Sequence, residues 1–162
     1  GDIPLEHVIK LMEAAISIAE SHGEKIDSVK LADTMGWANP EQMKRTISTV
    51  KDRWPDMQIG LHLHDTRGLG LANVYAALQE GVNDFDSAVG GLGGCPFAAV
   101  KGAAGNIATE DLVFLCEEMG VDTGVNLESL LECVAYAEKI FDRSLPGHLS
   151  KGGLLSKIRN KR

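Results

Sequence analysis

In the segment LHLHDTRGLG, residues 61–70, two of the chain's five histidines stand two positions apart, and Asp65-Thr66 and a glycine-rich turn follow at once. On a strand, alternate residues point to one side, so His62 and His64 would share a face. Imidazole suits borderline metals, and carboxylate or amide oxygens suit Mg²⁺ or Mn²⁺. The pair reads either as half of a metal site or as two histidines hydrogen-bonded near a loop. Cys95 stands in GGLGGCP, directly after Gly93 and Gly94. Glycines give that loop the freedom to close over a ligand and reopen. A partly exposed thiol there can serve as a general acid or base if its pKa is tuned, or it can simply fill a tight turn. The loop is neither a Walker motif nor a dinucleotide fingerprint.

Asp33, Asp65 and Asn106 carry the same double reading. Asp33 can cap a loop or helix, orient another group or act as a base, and beside Thr34 and a turn capping is the commoner role. Asn106 can lend its amide oxygen to a metal or cap the helix that begins near Thr109. Taken singly, each residue favours the plain explanation. Their shared position at strand ends favours the other one.

The elements that would hold them follow from periodicity. Leu5, Val8, Leu11, Met12, Ala15, Ile16 and Ala19 recur at helical spacing between Pro4 and Gly23. A strand is expected over 26–32, a helix from Asn39-Pro40 with Met43, Ile47 and Val50 as its stripe, and a strand over 57–64. Next come a helix from about Leu69 to Glu80 using Leu71, Val74, Tyr75 and Leu78, and a strand over 82–89. A glycine-rich loop covers 90–105, and a very short fourth strand is expected at 106–109. Helices to about Met119 and from Asn126 to about Phe141 complete the order. Strands alternating with helices imply α/β architecture with parallel βαβ units. Three or four strands equal half of an eight-stranded barrel and cannot close one alone, whereas a doubly wound sheet could close with that number. The carboxyl ends of such strands carry the active site, and Asp33, His62, His64, Cys95 and Asn106 all fall there.

The composition sets limits. The chain has 162 residues, 44% hydrophobic and 24% charged, which fits one domain with a packed core. Its net charge of −7 argues against a nucleic-acid binder. No apolar run approaches the roughly 20 residues of a membrane span, and the opening Gly-Asp-Ile-Pro has neither the basic start nor the apolar stretch of a secretory leader. Cys95, Cys116 and Cys133 show no pairing pattern, which suits a reducing, cytoplasmic setting. Cys116 and Cys133 are expected to be buried structural thiols. Residues 151–162 carry five basic side chains and no acid, and read as a solvated terminal segment.

The stretches ADTMGWANP, HLHDTRGLGLANVYAALQEGV, DSAVGGLGGCPFA, GAAGNIATEDLVF and MGVDTGVNLESLL resemble the 3-hydroxy-3-methylglutaryl-CoA lyase family. It is a branch of the aldolase-like, metal-dependent TIM barrels that include isopropylmalate and homocitrate synthases and carboxyltransferase domains. The combination of HxHDT, GGLGGCP and GN-ATED is similar to the lyase branch rather than the synthases. The resemblance implies the C-terminal half of a (β/α)8 TIM barrel, about strands 5 to 8 within 1–143, followed by a basic tail over 144–162. It implies that His62, His64 and Asn106 ligate a divalent cation, Mg²⁺ or Mn²⁺. It implies that Cys95 takes part in proton transfer, that Asp33 is an active-site carboxylate, and that His62 doubles as a proton carrier. The implied reaction is a retro-Claisen cleavage of an acyl-CoA to acetyl-CoA and acetoacetate. The implied setting is cytoplasmic, or the mitochondrial matrix in a eukaryote, in a homodimer or larger assembly, with no nucleic-acid or membrane partner.

Three departures accompany the resemblance. The Arg-Asp pair at the end of the family's first strand has no counterpart, so the chain is expected to be an incomplete fragment, inactive alone. The loop CPFAAVKGAAGN is longer than the family's and adds Lys101. Arg67 stands where lyases commonly carry an aromatic. The last two changes bear on the acyl group more than on the reaction. The competing expectations are a non-catalytic half-barrel that self-associates through its open sheet edges and a related aldolase acting on another hydroxyacid.

Overall fold

The computed structural model of the chain describes residues 3–94 and 104–159. The elements run α1 (Leu5–Ser21), β1 (Ser28–Asp33), α2 (Pro40–Arg53), β2 (Gln58–Leu63), α3 (Gly70–Gln79), β3 (Asp84–Asp86), a 3-10 turn at Val89–Gly91, α4 (Thr109–Glu118), α5 (Leu127–Phe141), α6 (Leu149–Gly152) and α7 (Leu155–Arg159). The three strands form one parallel sheet in the order β1-β2-β3. α2 returns the chain from β1 to the start of β2, and α3 from β2 to the start of β3, as parallel pairing requires. This is the expected α/β class.

Local chemistry explains the boundaries. Asn39 caps α2: its side chain accepts from Gln42 N, and the Gln42 side chain accepts from Asn39 N, with Pro40 at the first helical position. Asn126 caps α5 by accepting from Ser129 N. On β2, Ile59, Leu61 and Leu63 turn toward the helices and join Ile47, Val50, Val74 and Ala77 in the core. Each of the Ile, Leu and Val side chains contributes about 1.5–3 kcal/mol by leaving water. The alternate residues Gly60 and His62 turn to the opposite face, which belongs to the barrel interior in a closed (β/α)8 fold.

Several expectations shift. The fourth strand at 106–109 reduces to isolated bridges, Asn106 antiparallel to His64 and Ala108 parallel to Ala88. The loop that Gly93 and Gly105 shape leaves too little straight chain for a ladder. Leu11 is 57% exposed, because α1 buries only a narrow line through Ile9 and Met12. Tyr75 is also exposed, its hydroxyl accepting from Gln79 Nε2. Cys116 is buried, but Cys133 is exposed, because of the residues of α5 only Val134 is buried. Beyond α5, Leu145 and Leu149 are buried, and Asp111 accepts from the backbone N–H groups of His148 and Leu149.

Candidate active site

The register of the sheet lines up two rows of side chains on the open face. Lys30, Gly60 and Asp84 form one row, and Ala32, His62 and Asp86 the next, nearer the carboxyl ends. Ala32 leaves space beside His62. His64 follows one step beyond β2, where its backbone bridges Asn106.

The two imidazoles converge. His62 Nε2 lies 3.2 Å from His64 Nε2, with the ring centroids 5.2 Å apart. His62 is part-exposed, while His64 is buried at 6% exposure. Burial, and then the neighbouring His62, hold His64 below the ordinary histidine pKa, against the opposing pull of Asp33 and Asn106. A neutral imidazole is the form that ligates a cation.

Asn106 is oriented by the glycine loop. Its Nδ2 donates to Leu92 O at 2.9 Å, which identifies that atom as the nitrogen and turns Oδ1 the other way. Gly93, at φ +90°, lies so close that a Cβ there would come within 2.7 Å of Asn106 Nδ2. A Cβ on Gly105 would overlap the Gly93 carbonyl. Gly94 faces open space. Among the described residues, Asn106 Oδ1 and His64 Nδ1 are buried with no hydrogen-bond partner, an arrangement that is costly unless something else satisfies them.

These donors fit a divalent cation. Two cis ligands of an octahedral ion bound at about 2.1 Å sit about 3 Å apart, close to the observed spacing of the two Nε2 atoms. The orphaned Asn106 oxygen supplies a hard donor of the kind Mg²⁺ and Mn²⁺ prefer. No three His, Cys, Asp or Glu side chains gather to hold a metal among the described residues.

The other expected residues serve the rim. Asp33 Oδ1 accepts from Trp37 N at 2.9 Å and Oδ2 from Ala38 N at 3.1 Å. It therefore builds the loop after β1, the plainer of its readings, while its charge still reaches His64. Asp65 Oδ1 accepts from Gly70 N at 2.8 Å and closes the turn into α3. Arg67 donates to Met35 O at 3.1 Å and lies 5.9 Å from the Trp37 ring centre, tying the two rim loops together. Cys95 and Lys101 lie outside the described residues.

Asp86 and Lys30 have no motif of their own. His62 Nδ1 lies 3.2 Å from Asp86 Oδ2, and Lys30 Nζ donates to Asp86 Oδ1 at 2.5 Å and to Asp84 Oδ1 at 3.5 Å. The Lys30 hydrogen bond holds the Asp86 carboxyl below its ordinary value. The signal that could expose Asp86 is alternation within VNDFDSAV, which places Asp84 and Asp86 on one face of a strand parallel to the one carrying His62. Glu110, fully buried, accepts from Gly90 N at 2.9 Å behind the glycine loop, and burial raises its pKa.

Residues 1–136 match the HMGL-like family. The chain is 44% identical over 145 residues to a hydroxymethylglutaryl-CoA lyase of Bacillus subtilis, covering 90% of this chain and 46% of the relative. It is 44% identical over 153 residues to the (R)-citramalyl-CoA lyase of Chloroflexus aurantiacus, covering 94% and 46%. The solved structure of an HMG-CoA lyase from Acinetobacter baumannii, in complex with coenzyme A and 3-methylmalate, superposes with a TM-score of 0.80 at 43% identity, over 94% of this chain and 48% of that one. The chain spans about half the length of the curated relatives it matches. Among the described residues, no helix is long and apolar enough to cross a membrane.

Proposed function

The chain belongs to the HMGL-like family, and from that premise we propose that it carries part of the active site of a divalent-cation-dependent acyl-CoA lyase. The reaction is retro-Claisen cleavage of 3-hydroxy-3-methylglutaryl-CoA or a similar 3-hydroxyacyl-CoA. The observation that carries this reading is the convergence of the His62 and His64 Nε2 atoms at 3.2 Å, with the backbone of His64 bridged to Asn106, whose buried oxygen has no hydrogen-bond partner among the described residues, at the carboxyl ends of parallel strands.

In this reading His62, His64 and Asn106 hold Mg²⁺ or Mn²⁺. The cation, when bound, supplies positive charge against the oxygen anion that develops during cleavage. A base takes the proton of the tertiary 3-hydroxyl. The hydroxyl oxygen becomes a ketone oxygen, and the electron pair of the breaking carbon–carbon bond passes into the thioester enolate. Cys95, on the glycine loop, returns a proton to the enolate carbon. Closure of that loop excludes water while the enolate exists. Asp33, Arg67 and Lys101 shape the rim around the acyl group. For the parent substrate the products are acetyl-CoA and acetoacetate. The equal match to a citramalyl-CoA lyase favours a second acyl group within the same chemistry. Residues 1–143 form the barrel part in this reading, and 144–162 a basic tail.

The test is release of acetyl-CoA from 3-hydroxy-3-methylglutaryl-CoA with Mn²⁺, by this chain alone and by this chain joined to the complementary half of the Bacillus subtilis relative. Release by either that disappears with His64→Ala supports the reading. No release from a folded fusion, with the Bacillus subtilis enzyme active beside it, moves the substrate elsewhere.

A further inference from the structure

The open face of the sheet holds a polar chain that the reaction above does not use. Lys30, in the middle of β1, reaches across β2 to both aspartates of β3. It can do so because the residue between them is Gly60: a Cβ there would come within 2.8 Å of Lys30 Cε and would also strike the Asp84 carboxylate. The two oxygens of Asp86 then have separate partners, Oδ1 facing Lys30 Nζ and Oδ2 facing His62 Nδ1. An ionised carboxylate only accepts hydrogen bonds. The ring nitrogen facing it must therefore carry the hydrogen, and the other nitrogen is left with its lone pair. That other nitrogen is Nε2, the one aimed at His64.

We propose that Asp86, anchored by Lys30 across Gly60, is a positioning residue that fixes His62 in its Nδ1-protonated form and leaves Nε2 as a ready donor toward the site. This rests on the preceding reading only in naming the cation as what Nε2 serves; the tautomer stands without it. Two consequences follow. A contact of 3.2 Å between two Nε2 atoms needs a proton or a cation between them. With His62 unprotonated at Nε2, the hydrogen between the two rings is the one donated by His64 Nε2. Lys30 also keeps Asp86 from turning away from the ring, since the shared carboxylate is held at both oxygens. Histidines that ligate metals characteristically give their second nitrogen to a carboxylate, and loss of that partner costs about 10–100-fold in metal affinity.

The experiment is long-range ¹H–¹⁵N NMR of the histidine rings in the intact, metal-free chain at pH 8, with His62 assigned by comparison with His62→Gln. The expected pattern for His62 is a protonated Nδ1 and an unprotonated Nε2. A His62 protonated at Nε2 overturns the proposal without recourse to any variant of Asp86. In Asp86→Asn, Lys30 retains the amide oxygen and the NH₂ group faces the ring. The His62 proton is then expected to move to Nε2, and the Mn²⁺ Kd to rise about 10–100-fold. An unchanged tautomer in this variant also overturns the proposal. The expected tautomers in a wild-type chain that binds no Mn²⁺ uphold the role of Asp86 and remove the metal reading instead.

Discussion

His62 and His64, two residues apart at the end of one strand, bring their Nε2 atoms to 3.2 Å although one ring is part-exposed and the other buried. Alternation explains the shared face, and the bridge to Asn106 explains why His64 is sealed while His62 stays open to the barrel interior. If this pair is the core of a cation site, His64→Ala abolishes saturable Mn²⁺ binding, measured by calorimetry or by the electron paramagnetic resonance of free Mn²⁺. Binding that persists at wild-type affinity returns the pair to a structural role.

Cys95→Ser, assayed in a form of the protein that turns over 3-hydroxy-3-methylglutaryl-CoA, is expected to lower kcat by about 100-fold or more with KM little changed, the scale of a lost general acid. Unchanged turnover reduces Cys95 to a loop residue.

Gly105 and Gly94 make a contrasting pair on the same loop. A Cβ on Gly105 runs into the backbone of Gly93, whereas one on Gly94 meets nothing. Gly105→Ala should therefore cost about 3 kcal/mol, the upper range for overpacking, and should weaken Mn²⁺ binding because it displaces Asn106. Gly94→Ala should leave both nearly unchanged. Urea denaturation of the two variants measures the difference.

Glu110 has its pKa raised by burial, so the folded chain binds its proton more tightly than the unfolded chain does. The stability linked to that proton is present below the ordinary glutamate value and is lost as pH rises toward the raised one. Glu110→Gln keeps the shape and removes the titration. Its melting temperature should match wild type near pH 4 and rise relative to wild type as the pH is brought to 7. A constant difference across that range would mean that Glu110 binds its proton equally well in the folded and unfolded chains.

Much of the fold could be read along the chain because its signals are local. Asn39-Pro40 with Gln42 is a complete helix start within four residues, and Asn126 is another. The run IGLHL separates helix-facing Ile59, Leu61 and Leu63 from open-face Gly60 and His62 by alternation alone. Where the signal needed a neighbour, it was lost. The apolar spacing that places Leu11 on the buried side of α1 could not register that α1 buries only Ile9 and Met12, and Cys133 looked buried although α5 buries only Val134. The segment 106–109 has strand-like residues, but the close packing of Gly105 against Gly93 limits it to two bridges.

The sequence by itself determined the parallel βαβ order, the gathering of Asp33, His62, His64 and Asn106 at strand ends, and the kinship carried by HLHDTRG and GGLGGCP. These depend on residue type and on spacing of two to four positions, which any reader of the chain can see. Only the tertiary structure decided that Asp33 spends both oxygens on the loop at Trp37 and Ala38, that Asn106 gives its nitrogen to Leu92 and turns its oxygen the other way, and that Lys30 and Asp86 belong with His62. Those facts depend on strand register: Lys30 and His62 are 32 positions apart in the sequence, and only the pairing of β1, β2 and β3 sets them in adjacent rows of one face.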